Sequence, residues 1–289
     1  MSHFFSRPIC STPVQFEKKS RKNKHDLLYT GGSDFHSGPQ TILGYGPFMA
    51  ELYYGHRSRL YLDDLYNNPQ NIAEVIVESY NQGVGAINLV NDSNLLEAYD
   101  IAVSQGCEMK VIATIGKSDV DYLNPNYEVA KEVDWDEDIE LFSSYDCPVM
   151  LVDEFITDGY DWRLTSKILN RINDAGSLSG LVTAFPSRTS DLLFENLDMD
   201  LFDFYMIPYN SLSYMMDISA FNASQRQEFI DKIKKLDKKI IATRILAAGV
   251  LKPKEAFTFY KNVDFVDAVC MGVAKVEEAR EDFELLKEY

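Results

Sequence analysis

From Thr41 onward, short apolar runs alternate with longer segments in which apolar residues return every three or four positions, the pattern of repeated strand and helix units around a parallel sheet. The runs that read as strands cover residues 41–49, 86–91, 109–115, 149–155, 180–185, 204–208, 239–246 and 268–273. Between them the spacing predicts helices over 71–82, 94–105, 137–145, 163–175, 190–197, 224–236, 253–260 and 277–288. Gly83, Gly106 and Gly176 directly follow three of these, where a helix end commonly needs a left-handed residue. In the helix from Ser224, Phe229, Ile230, Ile233 and Leu236 form one apolar stripe that should lie against the sheet.

Eight strands, each followed by a helix and with no break in composition, predict an α/β fold of the closed (β/α)8 TIM barrel type over 41–289. The rival is an open sheet of Rossmann type, but no GxGxxG leads from a strand into a helix. Residues 1–40 carry too little periodicity for a domain of their own and read as an N-terminal extension.

Composition fits this picture. A chain of 289 residues, 46% hydrophobic, can bury one large core. No apolar run approaches the roughly 20 residues of a membrane span, and the N-terminus lacks a secretory apolar region, so the expectation is a cytoplasmic protein with no membrane partner. Cys10, Cys107, Cys147 and Cys270 lack CxxC spacing, which indicates neither a disulfide framework nor a thiolate metal site. The net charge of −17 argues against a nucleic-acid partner. Locally, Arg7, Lys18, Lys19, Arg21, Lys22 and Lys24 outweigh Glu17, Asp26 and Asp34, forming a solvated tail or a partner-binding arm. This arm and the many aromatics are compatible with a homo-oligomer, although 17 Tyr and 17 Phe are mostly accounted for by packing within a large barrel.

In such barrels chemistry sits at the C-terminal ends of the strands and in the loops that follow. That rule selects Asn88, Asn91, Asp92, Lys117, Asp153, Glu154, Thr183, Arg188, Tyr209, Asn210, Arg244 and Lys275. Asp153 and Glu154 stand out, because a carboxylate above a barrel must be paired, metal-bound or protonated. They read either as a general acid or base or as ion-pair partners of Arg244 or Lys117. Neighbouring strand residues face opposite sides, so the two can act together only if the strand ends between them. Arg244, embedded in Ile-Ile-Ala-Thr-Arg-Ile-Leu, calls for a carboxylate or an anionic ligand.

Residues 30–38, Thr-Gly-Gly-Ser-Asp-Phe-His-Ser-Gly, have the look of a metal motif. With only His3, His25, His36 and His56 in the chain and none on a late strand, a turn entering the first strand is the better reading, and no metal is expected. His56, beside Arg57 and Arg59, reads as a solvated loop histidine, a proton donor or an anion ligand. No GxSxG, Walker or HExxH sequence is present.

Taken in order, the strands resemble those of the aldo/keto reductases. Ile42-Leu43-Gly44-Tyr45-Gly46 is similar to that family's opening strand, 83–88 to its second and Val111-Ile112-Ala113-Thr114 to its third. Residues 246–251 are similar to its strand-seven turn, and Val269-Cys270-Met271-Gly272 with Glu277-Glu278 to its strand-eight turn and helix. The resemblance implies NAD(P)H-dependent carbonyl reduction by an Asp, Tyr, Lys and His tetrad. Those positions fall on Asn88 for Asp, on Ile115 beside Thr114 for Lys, and on Asp153 or Glu154 for His. Tyr53 and Tyr54 lie on a different loop from the family's tyrosine. For a cofactor such as NADPH, the resemblance places Thr183 and Ala184 where the nicotinamide amide would be held, and Gly272 and Lys275 at the phosphate turn.

Three functions follow as expectations. One is a small-molecule barrel enzyme of reductase-like ancestry, acting by acid–base chemistry of the lyase, isomerase or hydrolase type on an anionic or carbonyl-containing metabolite. It would use Asp153 or Glu154, Arg244, Lys117 and Asn88. Another is an NAD(P)H-dependent reductase with a substituted tetrad, and the third is a non-catalytic barrel that binds a metabolite or partner.

Overall fold

The structure is a computed structural model and describes residues 40–118, 120 and 124–289. The extension with its basic stretch, the 30–38 segment, Cys10, His3, His25 and His36 lie outside the described residues.

Strands β1 (Gln40–Leu43), β2 (Ala86–Leu89), β3 (Lys110–Ile115), β4 (Val149–Val152), β5 (Leu178–Val182), β6 (Phe204–Pro208), β7 (Lys239–Thr243) and β8 (Ala268–Met271) each pair in parallel with the next. β8 returns to β1 with Cys270 opposite Ile42, which closes the barrel. The strand-period alternation decides what lies on each side. Ile42, Ala86, Ile112, Leu151, Val182, Met206, Ile241 and Cys270 fill the interior, while their neighbours Leu43, Ile87, Val111, Val152, Leu181, Ile207 and Ala242 face the helical layer.

That outer layer comprises α1 (His56–Tyr61), α2 (Pro69–Asn81), α3 (Ser93–Ser104), α4 (Tyr127–Ala130), α5 (Trp135–Phe142), α6 (Glu154–Thr157), α7 (Trp162–Asp174), α8 (Pro186–Asn196), α9 (Ala223–Lys235), α10 (Pro253–Tyr260) and α11 (Val276–Leu286). Several starts are fixed by side-chain caps, which satisfy amides that the first turn leaves free. Asp92 accepts from Asn94 and Leu95 N–H at 3.0 Å each, and Asp161 accepts from Leu164 N–H at 3.1 Å.

The strands are shorter than the apolar runs. β1 stops at Leu43, β4 at Val152 and β7 at Thr243, against predicted ends at 49, 155 and 246. Among the surplus residues buried beyond the strand ends, Phe48 and Ile245 lie in loops and Phe155 in α6. Apolar character alone does not separate a buried strand residue from a buried loop residue, and for the same reason α1, α4 and α6 were not foreseen.

Interior space is tight at Gly180. A β-carbon there would lie 2.6 Å from the Phe204 carbonyl oxygen and 2.5 Å from a methyl of Leu151. Gly180→Ala should therefore destabilise the barrel by about 1–3 kcal/mol, the range for overpacking a core, read as a lower urea midpoint at unchanged slope.

Candidate active site

The inward alternation continues past the apolar interior. Above Ala86 comes Asn88, above Ile112 Thr114, above Leu151 Asp153 and above Ile241 Thr243, so the strands end in a polar ring. This ring forms part of the wall of a cavity of about 370 Å³, with Val182, Met206 and Cys270 also lining it. Tyr45, Tyr53, Tyr54 and Tyr61, from the β1 loop and α1, add an aromatic wall. Gly46 lets that wall close, since a β-carbon there would lie 2.6 Å from the Tyr53 hydroxyl and 2.7 Å from that of Tyr54.

The end of β4 meets the condition under which Asp153 and Glu154 can act together. The strand stops at Val152, Asp153 becomes the N-cap of α6 and accepts from Phe155 N–H at 3.0 Å, and Glu154 opens the helix. Both residues therefore line the cavity. Glu154 accepts from Nη2 of Arg244 through both oxygens, at 2.8 Å each, with the two side chains only 7% and 8% exposed. The ion-pair expectation thus holds for Glu154 and leaves Asp153 in a different role. Asp153 is 2% exposed, and burial pushes its carboxyl up to about 7, with Lys117 opposing the rise and Glu154 adding to it.

Arg244 lies just beyond β7, in left-handed backbone at φ 56°. Non-glycine residues rarely adopt this conformation, and the surrounding bonds hold it there. Its carbonyl accepts from Ala247 N–H at 2.9 Å and from the Asn210 amide at 3.3 Å. Its guanidinium also stands 5.5 Å from the centre of the Tyr53 ring. The 246–251 turn carries Gly249, at φ 78°, under Arg57, whose guanidinium donates to the Gly249 carbonyl at 3.2 Å.

Lys117 does not line the cavity. It stands behind the wall, 3.0 Å from Glu51, and is electrostatically coupled to Tyr45, Asp153 and Glu154. Burial pulls its ammonium toward neutrality, but these anionic and phenolic neighbours more than offset that and keep it charged. Tyr45 does line the cavity, and burial raises its hydroxyl well above the ordinary phenol range against the pull of Lys117. At neutral pH this part of the wall therefore holds the Glu154–Arg244 pair, the protonated Tyr45 phenol and the Asp153 carboxyl near its midpoint, with the Lys117–Glu51 pair behind it.

Tyr45 and Glu51 were missed in the sequence. Tyr45 follows β1 directly, so the strand-end rule that selected Asp153 applied to it as well. The remaining candidates divide clearly. Asn88 lines the cavity and donates to the Ile112 carbonyl at 2.8 Å and to Thr114 Oγ1 at 3.0 Å. Thr183 does not line it; its hydroxyl donates to Asp158, and its oxygen accepts from Phe185 N–H. Asp158 is also pushed up by burial to about 7, yet it accepts from Thr183, Thr189 and Ala184 N–H and braces the loop after β5. Gly272 lines the cavity, whereas Lys275 is exposed and outside its lining. Ala274 N–H, at the start of α11, donates to Glu278 at 2.8 Å. His56 is exposed and outside the lining, Asn91 donates to Asp138 at 2.8 Å, and Arg188 stacks 5.0 Å from the Tyr160 ring centre.

These features define a closed parallel (β/α)8 barrel with a polar cavity at the C-terminal ends of its strands. Among solved structures, the chain is similar to a protein from Pseudomonas aeruginosa assigned to the aldo-keto reductases, with TM-score 0.58, 14% identity, and coverage of 91% of this chain and 95% of that one. It is also similar to an aldo/keto reductase from Brucella melitensis, with TM-score 0.50, 12% identity, and coverage of 75% and 84%. At these identities the likeness is one of fold. No family model matches the chain, and no curated protein matches it by sequence.

Arg244→Met should cost about 3–5 kcal/mol, because Glu154 is left charged and buried, and adding Glu154→Gln should recover part of the loss in a denaturant titration. Asp153 gives the opposite sign. A carboxyl whose folded pKa exceeds its unfolded value contributes fully at acid pH, and that contribution is lost as pH rises through about 7. Asp153→Asn, which retains a capping side chain, should thus match the wild type near pH 4 and exceed it by roughly 4 kcal/mol at pH 8.5. Melting curves across pH would check this.

Proposed function

We propose that the chain is a small-molecule enzyme that works by proton transfer, with Asp153 as its acid–base group. The observation that carries this reading is a carboxyl on the cavity wall, nearly excluded from water and poised near neutral pH. A general base works best when its pKa lies close to the operating pH. Asp158 has a similarly raised pKa but no access to the cavity, so geometry distinguishes the reactive carboxyl from the structural one.

In this reading the substrate presents an acidic C–H or O–H to Asp153, and the carboxylate takes the proton. Charge developing on a substrate oxygen meets the donors of the same wall, the Tyr45 hydroxyl and the Arg244 guanidinium, and Asp153 returns the proton to complete an isomerisation or elimination. Asn88 acts through Thr114, whose position it fixes. The ligand expected is a carbonyl or polyhydroxy compound. An anionic ligand has less support than the sequence implied, because the cavity-lining Arg244 is already paired with Glu154.

A second reading is supported by one feature. Tyr45 is a protonated phenol with the Lys117 ammonium behind it, an arrangement able to donate a proton to a carbonyl while NADPH delivers hydride. The placement of Thr183 and Lys275 outside the cavity weighs against it.

Compounds selected by thermal shift from a panel of small carbonyl and polyhydroxy molecules should exchange a carbon-bound proton for deuterium in D2O. The pH profile should rise through about 7, and Asp153→Asn should slow exchange by at least about 100-fold. Exchange that persists in Asp153→Asn, or turnover that depends on NADPH, would overturn the reading.

A further inference from the structure

The far end of the cavity, at β8 and α11, carries its own charge pattern. In barrels of this kind the loop after the eighth strand and a helix N-terminus commonly receive a ligand phosphate, because free amides and the helix dipole favour an anion there. Here an anion of the chain already occupies that position. Glu278, in the first turn of α11, accepts from Ala274 N–H at 2.8 Å, and both residues line the cavity. Asp282, one turn further on, also lines it.

Arg57 and Lys252 line the same cavity, but among the described residues neither forms an ion pair with Glu278 or Asp282. Arg57 lines the same region but donates to the Ala248 and Gly249 carbonyls. Lys275, the basic residue adjacent to the turn, is exposed and outside the lining. Burial and the neighbouring Glu278 and Glu281 push Asp282 up to about 6, the shift expected of a carboxyl crowded by like charge.

We propose that Glu278 is a specificity-determining residue: its carboxylate takes the place of a ligand phosphate at the start of α11, so the cavity selects unphosphorylated ligands that are neutral or cationic at that end. This rests on the cavity being the ligand site, as proposed above, and narrows the substrate class. A phosphate entering the wild-type protein loses the Ala274 amide and meets two carboxylates, whereas a hydroxyl or ammonium group finds acceptors. The dinucleotide implied by the reductase resemblance is disfavoured by the same residue.

The test uses the full chain, with inorganic pyrophosphate and NADPH as probes in calorimetric and fluorescence titrations at low salt. The wild type should bind neither below millimolar concentration. Glu278→Ala should bind pyrophosphate at least tenfold more tightly, with the gain abolished by 0.5 M salt, roughly the range in which exposed charges are screened. Glu278→Gln keeps an oxygen for the Ala274 amide but loses the charge, so a smaller gain is expected and the assignment stays testable if the alanine variant fails to fold. Micromolar binding by the wild type, or no gain in folded variants, would overturn the proposal. Repeating the titration in Glu278→Ala with Asp153→Asn separates the two readings, since pyrophosphate binding at α11 should be unaffected by the loss of the acid–base group.

Discussion

The architecture of the site at the end of β4 depends on one constraint: a charge fully buried at the mouth of an apolar barrel must be paired within a few ångströms or held neutral. Glu154 and Arg244 meet it by pairing, with both oxygens of one accepting from a single nitrogen of the other. Lys117 and Glu51 meet it behind the wall. Each pair joins elements far apart in the chain, so each also fixes the loops relative to one another. Desolvation of such a pair offsets much of its attraction, and its main effect is on geometry rather than net stability. Once these partners are assigned, Asp153 is the carboxyl to which the proposed function gives the proton transfer.

The break between Val152 and Asp153 makes this arrangement possible. Had β4 continued, Asp153 and Glu154 would have pointed to opposite faces, and Glu154 would have lain among the helices. Ending the strand one residue earlier lets α6 turn both toward the cavity, with Asp153 serving as its cap. The left-handed residue at Arg244 does similar work after β7, turning the guanidinium toward Glu154 while Asn210 holds its carbonyl.

Much of this was legible in the sequence. The eight units, the barrel and the choice of Asp153, Glu154 and Arg244 follow from periodicity and from the strand-end rule. Arg244 within an apolar run required a carboxylate, and one is present. What could not be read lies where burial continues without strand geometry. Phe48, Phe155 and Ile245 look like strand residues because they are buried, although the backbone around them has already turned. Thr183 and Lys275 sit at the expected sequence positions but face elsewhere, and a one-dimensional pattern carries no information on that orientation. Tyr45 was within reach of the reasoning used, whereas Glu51 needed the fold, since only the loop path brings it to Lys117. The resemblance to the aldo/keto reductases extends to the barrel. At the β8 turn Glu278 accepts from Ala274 N–H, the contact on which the proposed exclusion of a ligand phosphate rests.

The central claim is that Asp153 exchanges its proton near neutral pH because burial outweighs the field of Lys117. Carbon-13 NMR of labelled aspartate carboxyls, with the Asp153 resonance assigned by its absence in Asp153→Asn, measures this directly. A midpoint of about 7 is the predicted result, and a midpoint near the ordinary value of about 4 would contradict it.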